Sequence, residues 1–258
     1  MNSPLRLLIL GGTGDARQLA HRLSDISGIV AISSLAGRVA QPTLPNGPVR
    51  VGGFGEVAGL VTYLRNERID AVVDATHPFA ANISRNAADA CGELALPLIA
   101  LLRPPWKAGD GDHWHDADDL VEAAEIAENL GRRIFLTIGR QGIAAFADCR
   151  KGWFLIRSID KPDPPLPSQH EILLQRGPFE VDEEIRVMRK HAIDVIVSKN
   201  SGGSATFAKI EAARVLGLPV VMIKRPRHPR VPAVKSVDSA FAWIEQVRKL
   251  RCLLETGS

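Results

Sequence analysis

The sequence is poor in aromatic residues and cysteines and has no long apolar run. Phe, Trp and Tyr make up 5% of the 258 residues, which leaves little surface for stacking on nucleic-acid bases. Three separated cysteines without CxxC spacing, Cys91, Cys149 and Cys252, argue against a zinc site or a disulfide framework and indicate a reducing compartment. The apolar runs are too short to cross a bilayer, and no signal-peptide pattern is present. We therefore expect a cytoplasmic protein that binds neither nucleic acid nor membrane.

The net charge is also small, but the basic residues are unevenly placed. The formal net charge is +3, whereas Lys224, Arg225, Arg227 and Arg230 fall within seven residues. A local basic cluster on a nearly neutral protein favours a small acidic ligand over a polyanion.

A strand–helix pattern runs through the chain and occurs twice. Leu8, Gly11, Gly14 and Ala16 recur 128 positions later as Leu136, Gly139, Gly142 and Ala144. The pattern predicts an α/β fold of two Rossmann-like parallel-sheet domains, related by internal duplication, with a cleft between them. The expected boundaries are 1–105 for a nucleotide domain, 106–130 for a connector and helix, and 131–258 for a substrate domain. The alternative is chance similarity between Leu/Val-rich segments.

A glycine-rich turn follows the first predicted strand. Gly11, Gly12 and Gly14 let backbone N–H groups approach a pyrophosphate at the helix N-terminus, where the helix dipole favours an anion. Thr13 is predicted to add a hydroxyl donor. The alternative is a turn that only packs the helix against the sheet.

The end of the second predicted strand indicates which nucleotide binds. An NAD enzyme places an acidic residue here, whereas this chain has Ser33, Ser34 and Arg38. Hydroxyls and a guanidinium favour a 2′-phosphate, and the sequence therefore predicts NADPH rather than NADH. The alternative for Arg38 is a solvated loop arginine.

The next two strand ends complete the predicted nucleotide site. Gly52, Gly53 and Phe54 follow the third strand, where an adenine ring can approach the backbone closely. The sequence DATHPFA, from Asp74, follows the fourth strand and is expected to meet the nicotinamide. For His77 a purely structural, turn-capping role is the alternative.

The second half places cations where the first has glycines. Arg140 and Gln141 stand at the positions of Gly12 and Thr13, and SKNSGG, residues 198–203, stands at the position of DATH. An ammonium, hydroxyls and flexible backbone suit carboxylates, while the alternative for each residue is a solvated surface position. Predicted substrate contacts are Arg140, Lys199, Asn200, Ser201, Gly202 and Arg225, and further cations at strand ends are Arg157 and Lys161.

These motifs, in this order, resemble the precorrin-6A reductase family of cobalamin biosynthesis. The resemblance spans residues 7–226 and is carried by ILGGTGDARQLA, SLAGR, DATHPFA, LTIGRQG, RGPF, SKNSGG followed by AKIEAA, and LPVVMIKRP. It implies NADPH-driven reduction of one carbon–carbon double bond of the precorrin-6A macrocycle, giving precorrin-6B, whose many carboxylate arms suit the cation-rich half. It also implies that NADPH contacts Gly11, Gly12, Thr13, Gly14, Asp15, Ala16, Ser34, Arg38, Asp74, Ala75, Thr76, His77 and Pro78. A metal-free and a cobalt-containing substrate fit equally.

Several alternatives stay open at this point. The proton that accompanies the hydride has three candidate donors, His77, Lys199 and water. A short-chain-dehydrogenase-like reductase is disfavoured because Tyr63, the single tyrosine, lacks a lysine four positions on. A non-catalytic NADP-sensing protein is a second alternative. A metal enzyme is disfavoured because His113 and His115 lack a third ligand at recognised spacing. A monomer or weak homo-oligomer is expected.

Overall fold

The structure is a computed structural model that describes residues 3–37 and 41–256. The chain divides into two compact units, the first formed by Met1–Pro104 with Pro226–Ser258 and the second by Pro105–Arg225. Each unit contains a six-stranded sheet, and every strand pairing in the described residues is parallel. The expected α/β class with two Rossmann-like sheets is therefore confirmed.

The first unit alternates strands and helices. Its elements are β1 (Leu5–Leu10), α1 (Gly14–Ser24), β2 (Ile29–Leu35), β3 (Val49–Val51), α2 (Glu56–Asn66), β4 (Ala71–Asp74), α3 (Ala81–Glu93), β5 (Leu98–Leu101), β12 (Ala233–Val234) and α7 (Val237–Thr256). The strand order is β12-β5-β4-β1-β2-β3. One apolar cluster joins α1 and α7 to one face of the sheet, and another joins α2 and α3 to the opposite face. Apolar strands covered on both faces explain why β1 is an uninterrupted apolar run after Arg6.

The second unit has the same plan with one substitution. Its elements are β6 (His113–Ala117), α4 (Leu120–Leu130), β7 (Arg133–Leu136), the short 3₁₀ segment η1 (Arg140–Phe146), β8 (Trp153–Ser158), β9 (His170–Leu174), α5 (Val181–Lys190), β10 (Val195–Lys199), α6 (Ala208–Leu216) and β11 (Pro219–Ile223). The strand order is β6-β11-β10-β7-β8-β9. Where α1 follows β1 in the first unit, η1 follows β7 in the second.

The two sheet orders correspond strand for strand, with one exchange at the edge. β1 to β5 of the first unit occupy the places of β7 to β11 in the second. The strand–helix pair β6–α4 follows the first set along the chain but joins the second sheet, and β12–α7 follows the second set but joins the first sheet.

This exchange corrects the expected domain boundaries. The second domain was expected to span 131–258, but the second unit ends at Arg225. The expected connector, 106–130, is part of this unit and contributes an edge strand and a helix to it. The sequence repeat does not reveal on which sheet α4 and α7 pack.

Candidate functional site

The glycine turn of the first unit lies between β1 and the first residue of α1. Gly11 donates its N–H to the carbonyl of Ser34, 2.9 Å away, which fixes the start of the turn beside β2. Gly12 has a φ of +103°, a conformation that side chains disfavour. Thr13 is the N-cap residue of α1, and its Oγ1 accepts the N–H of Ala16 at 3.1 Å. The turn therefore aims the unsatisfied N–H groups of the first helical turn at the carboxyl edge of the sheet.

Among the described residues, the turn has space around two of its glycines. A Cβ added at Gly12 would meet no described atom within 4 Å, and one at Gly14 would meet only Arg17 Nη2 at 3.9 Å. Asp15 adds a negative charge to the first turn, but Arg103 Nη1 lies 3.0 Å from its Oδ2. This ion pair offsets the repulsion that an unpaired carboxylate would exert on an anionic ligand.

The structure changes the roles predicted for three residues near the turn. Thr13 Oγ1 donates its proton to the carbonyl of Ala75 at 2.8 Å, so the hydroxyl proton expected to meet a phosphate is used inside the fold. The side chains of Ala16 and Ala75, 3% and 1% exposed, pack in the core. Their predicted contacts with a cofactor are therefore limited to the backbone.

The ends of β2 and β3 converge on Arg50, which the sequence reasoning missed. Arg50 Nη1 donates to Ser34 Oγ at 3.0 Å and to the Gly52 carbonyl at 2.8 Å, and Nη2 donates to the Gly53 carbonyl at 3.0 Å. The guanidinium carbon lies 3.8 Å from the ring centroid of Phe54. The predicted residues Ser34, Gly52, Gly53 and Phe54 are thus brought together around one cation.

Arg50 retains capacity for a ligand. Its three hydrogen bonds to Ser34, Gly52 and Gly53 use three of five N–H groups, and within the described ranges no carboxylate lies within ion-pair distance of it. The signal in the sequence was an arginine two positions before a glycine pair at a strand end. Arg38, which was predicted for this role, lies outside the described residues.

The fourth strand ends in a network centred on Asp74. Its Oδ1 accepts from the backbone N–H of Thr76 at 3.1 Å and from Thr76 Oγ1 at 2.7 Å. Burial alone raises the pKa of Asp74, but the facing His228 and the hydroxyls of Ser84 and Thr76 hold it below its usual value. Asp74 is therefore a buried carboxylate that stays ionised at neutral pH.

His77 is placed at this edge, but its hydrogen bonding limits its chemistry. The N–H of Phe79 donates to His77 Nδ1 at 3.2 Å, so this nitrogen carries a lone pair and the ring proton sits on Nε2. A neutral imidazole of this tautomer is a very weak acid. Pro78 follows in the same turn, which closes with a 2.7 Å bond from Ala80 N–H to the His77 carbonyl. This geometry matches the turn-capping alternative for His77.

His228 is a second residue at this edge that the sequence reasoning passed over. It belongs to the segment that returns to the first unit, and its Nε2 lies 3.6 Å from Asp74 Oδ2. Its Nδ1 lies 3.0 Å from the carbonyl of Pro229, an acceptor that requires a proton on that nitrogen. The facing carboxylate of Asp74 raises the pKa of His228 against the opposing effect of burial. The available signal was a histidine inside the basic cluster.

The corresponding turn of the second unit is filled at Gly142, although a Cβ added at Gly139 would meet no described atom within 4 Å. Arg140 begins η1 after Gly139, whose φ is +73°. A Cβ added at Gly142 would lie 2.9 Å from Ile138 Cδ1 and 3.1 Å from Leu120 Cδ2, whereas the matching Gly14 borders open space. Because η1 replaces an α-helix, the described residues after β7 lack the helix N-terminus that would bind a phosphate.

The SKNSGG loop after β10 is held by Trp106. Asn200 Oδ1 accepts the backbone N–H of Trp106 at 2.8 Å, and Asn200 Nδ2 donates to the Trp106 carbonyl at 3.0 Å. Trp106 Nε1 donates to the Gly203 carbonyl at 2.8 Å, and Arg225 Nε donates to the Asn200 carbonyl at 2.7 Å. The amide of Asn200 is therefore engaged in fixing the loop, which corrects its predicted role as a substrate contact.

The remaining predicted loop residues lie together at the carboxyl end of β10. Lys199 is the last residue of the strand and is half-buried, and Ser201 and Gly202 are buried. Ser201 Oγ lies 3.3 Å from the Lys199 carbonyl. Gly202 has a φ of +66°, which accounts for a glycine there.

Two of the cations that were predicted at strand ends form ion pairs within the second unit. Arg157 is buried and forms a two-pronged ion pair with Glu184, one arm of which is 3.0 Å long. Lys224 Nζ lies 2.7 Å from Asp118 Oδ1. Arg157 is thus part of the core and not a ligand contact, because a buried guanidinium without its carboxylate would be strongly destabilising.

The described part of the chain holds neither a cluster of potential metal ligands nor a membrane-spanning helix. No group of three or more His, Cys, Asp or Glu side chains in residues 3–37 and 41–256 is arranged to hold a metal ion. Asp112, one of the acidic residues near His113, pairs with Arg214 at 2.9 Å. No helix of those same residues is long and apolar enough to cross a bilayer.

Comparison with known proteins extends the resemblance over nearly the whole chain. A family model described as "Precorrin-6x reductase CbiJ/CobK" matches residues 6–245. A protein of Rhodococcus erythropolis named Precorrin-6A reductase is 57% identical, over 93% of this chain and 97% of its own. A protein of that name from Mycobacterium tuberculosis H37Rv is 52% identical over the same shares. The solved structure of CobK precorrin-6A reductase is 41% identical and superposes with a TM-score of 0.89, covering 94% of this chain and 97% of that one. This chain belongs to the precorrin-6x reductase family.

Proposed function

We propose that the protein reduces one carbon–carbon double bond of the precorrin-6A macrocycle with NADPH, giving precorrin-6B, in cobalamin biosynthesis. The first unit binds NADPH and the second binds the carboxylate arms of the macrocycle. The observation that carries this proposal is the asymmetry between two equivalent turns. In the turn after β1, which leads into an α-helix, a Cβ at Gly12 or Gly14 would meet at most one described atom within 4 Å. In the turn after β7, which leads into η1, a Cβ at Gly142 would lie 2.9 Å from Ile138 Cδ1.

The first turn suits the pyrophosphate. The backbone N–H groups of Gly12 and Gly14 and the N-terminus of α1 supply donors and a favourable dipole. Open space around Gly12 and Gly14 leaves room for phosphate oxygens to approach. Thr13 contributes by fixing the helix start, and Arg103 contributes by pairing with Asp15.

The ends of β2 and β3 suit the phosphorylated adenosine. Arg50, stacked on Phe54 and bonded to Ser34, presents a held guanidinium whose positive charge has no carboxylate partner among the described residues. A preorganised guanidinium binds a phosphate dianion with little further loss of conformational entropy. Gly52 and Gly53 border open space, where the adenine can lie against the backbone.

The end of β4 suits the nicotinamide. Bound NADPH supplies the hydride. The chain holds residues 74–80 in place through Thr76 and His77, and Asp74 remains ionised beneath them. Because Nδ1 of His77 accepts the N–H of Phe79 within its own turn, we assign His77 to positioning, and the proton comes from Lys199 or from water.

The second unit suits a polycarboxylate. Arg140, Lys199 and Arg225 lie at or just after the carboxyl ends of β7, β10 and β11, which meet at one edge of the sheet. Trp106 and Asn200 keep the loop after β10 in a fixed conformation. The close relatives named Precorrin-6A reductase support the metal-free macrocycle as substrate.

The proposal is tested by calorimetric titration with NADPH and NADH, then by mixing with precorrin-6A while absorbance is followed at the NADPH and macrocycle bands. We expect tighter binding of NADPH and one NADPH consumed per macrocycle. Binding without consumption would identify a non-catalytic NADP-sensing protein instead. Oxidation of NADPH by small carbonyl compounds but not by the macrocycle would favour a short-chain-dehydrogenase-like reductase.

Arg50→Ala tests the nucleotide specificity. We expect the Kd for NADPH to rise on the order of 10- to 150-fold, the loss of a charge-assisted contact of about 1.5–3 kcal/mol, and the Kd for NADH to rise much less. Arg65→Ala is the control, because Arg65 is exposed on α2 and pairs only with Glu93 at 3.4 Å in the described residues. Equal losses for both cofactors would show that Arg50 does not contact the 2′-phosphate. Arg38→Ala, for which the sequence predicts the same role, is measured in parallel.

A further inference from the structure

A buried acid–base pair joins the end of β4 to the segment that follows the second unit along the chain. His228 is the third residue of the returning segment, and its Nε2 lies 3.6 Å from Asp74 Oδ2. Asp74 is 2% exposed, and the Nε2 atom of His228 is buried without a hydrogen-bond partner in the described residues. The separation is that of an ion pair and exceeds a hydrogen bond.

The hydrogen bonding around His228 requires the charged form of the ring. The Pro229 carbonyl, 3.0 Å from Nδ1, accepts a proton and cannot donate one. If Nε2 lacked a proton, its lone pair would face the Asp74 carboxylate with nothing between them. Both nitrogens are therefore best protonated, which makes His228 an imidazolium.

His77 and His228 lie at the same sheet edge, but the groups that face their ring nitrogens differ. His77 accepts the N–H of Phe79 at Nδ1, whereas both ring nitrogens of His228 face acceptors. Of the two, His228 supplies the positive charge at the end of β4.

We propose that His228 is a positioning residue for the nicotinamide-binding loop, because as an imidazolium it neutralises Asp74 and so fixes residues 74–80 for NADPH. This inference rests on the proposed function. Asp74 holds Thr76 by two hydrogen bonds, and Thr76 Oγ1 lies 3.4 Å from Ser84 Oγ, in α3. A neutral His228 would leave the buried Asp74 with its hydrogen bonds from Thr76 but without a facing positive charge, beneath a site that takes a polyanionic cofactor.

The direction of the pH dependence follows from the charges that face the pair. His228 faces Asp74 from β4 and the Pro229 carbonyl from its own segment, while Asp74 also faces Thr76, Ser84 and Cys91. Burial raises the pKa of Cys91 to about 12, so that thiol stays neutral across the range of interest. The pKa of His228 is raised above its ordinary value of 6.5, so the ring keeps its charge to a higher pH than an ordinary histidine and loses it as the pH rises through the raised value.

The first test is calorimetric titration with NADPH at pH 7 to 9.5, where the cofactor's own charge is constant. For the unaltered protein we expect the Kd to rise about tenfold across this range, which is about 1.4 kcal/mol. His228→Gln should have the weak affinity at every pH and a flat profile. His170→Gln is the matched control, because His170 Nδ1 also contacts a proline carbonyl, that of Pro167, at 2.6 Å but is on β9.

The second test does not depend on a variant that folds. The imidazole of His228 is titrated by nuclear magnetic resonance in the unaltered protein without cofactor, and both ring nitrogens should carry protons at pH 7. A ring that is neutral at pH 7, or an NADPH affinity that keeps the same pH profile in His228→Gln, overturns this inference while leaving NADPH binding intact. Absence of NADPH binding at every pH would instead overturn the proposed function, whatever the titration of His228 shows.

Discussion

Thr13 uses both hydrogen-bonding functions of its hydroxyl inside the first unit. The oxygen accepts the Ala16 N–H at 3.1 Å, and the proton goes to the Ala75 carbonyl at 2.8 Å. One side chain therefore starts α1 and ties it to the segment after β4. Thr13 therefore links the two strand ends that are proposed to meet the pyrophosphate and the nicotinamide, in addition to the 2.9 Å bond from the Ala75 N–H to the Leu10 carbonyl.

Thr13→Val keeps the shape of the side chain and removes both bonds. We expect the free energy of unfolding to fall by about 2–3 kcal/mol, from the lost helix cap and from a buried carbonyl left without a partner. Urea denaturation without cofactor measures the change. Thr13→Ser should keep most of the stability, since it retains the hydroxyl. Ser24→Ala, which removes an exposed hydroxyl at the other end of α1, should change it by less than about 0.5 kcal/mol. A loss no larger than that of Ser24→Ala would contradict the capping role.

The sequence alone predicted which positions lie at the sheet edge, but it did not predict their hydrogen-bond partners. Gly12, Ser34 and Asp74 were predicted because strand ends can be read from the apolar pattern. Arg50 and His228 were missed, because their roles depend on partners 16 and 154 positions away along the chain, Ser34 and Asp74. The position of His77 depends on the direction of one backbone N–H, that of Phe79, which donates to Nδ1 and which no sequence pattern encodes.

At the scale of elements, the two units differ most after their first central strand. β1 leads into α1, whereas β7 leads into η1, although the glycines of both turns align in sequence. Gly142 packs against Leu120 of α4 and Ile138, so the space that α1 leaves open in the first unit is occupied here. The aligned glycines therefore predicted a turn in both places, but the helix and the open space beyond it depend on neighbouring elements that the repeat does not specify.

Helix α6 carries a lysine that most folds would not bury. Lys209 is 5% exposed, donates to the Thr206 carbonyl at 2.8 Å and lies 5.1 Å from the centroid of the Trp106 ring. Burial, reinforced by the charge of Arg157 and opposed by that of Glu184, lowers the pKa of Lys209 to about 7. The amine therefore changes charge near neutral pH, beside the loop that Trp106 holds.

Lys209 should make stability depend on pH in a defined direction. Between about pH 7 and the ordinary lysine value of 10.5, the unfolded chain holds a proton at Lys209 that the folded protein has released, so the free energy of unfolding rises with pH. Denaturant titrations from pH 7 to 9.5 should show this rise, on the order of a few kcal/mol, and Lys209→Met should abolish it. Lys190→Met, an exposed lysine in the last turn of α5, is the control and should leave the rise unchanged. A rise of equal size in Lys209→Met would assign it to other groups.

At the scale of the whole molecule, one strand–helix pair of each repeat belongs to the other repeat's unit: β6–α4 to the second unit and β12–α7 to the first. β12 pairs with β5, and α7 packs Val237, Ala240 and Ile244 into the same cluster as β1. The unit proposed to bind NADPH is therefore completed by the last residues of the chain. The sequence repeat predicted two related domains but not this exchange, because local periodicity is the same whichever sheet a helix covers.

Ile244→Ala tests this exchange, because Ile244 is fully buried although it lies far along the chain from β1. We expect a loss of about 2–5 kcal/mol in the free energy of unfolding of the first unit, from the cavity left beside Leu7 and Ile9. Hydrogen exchange followed by mass spectrometry should show faster exchange in Leu5–Leu10 and no change in Arg133–Leu136. Leu250→Ala, at a residue of α7 that is 61% exposed, should alter neither segment. Faster exchange in Arg133–Leu136 instead would mean that α7 stabilises the second sheet, and the nucleotide unit would then end near Pro104 as the sequence repeat had predicted.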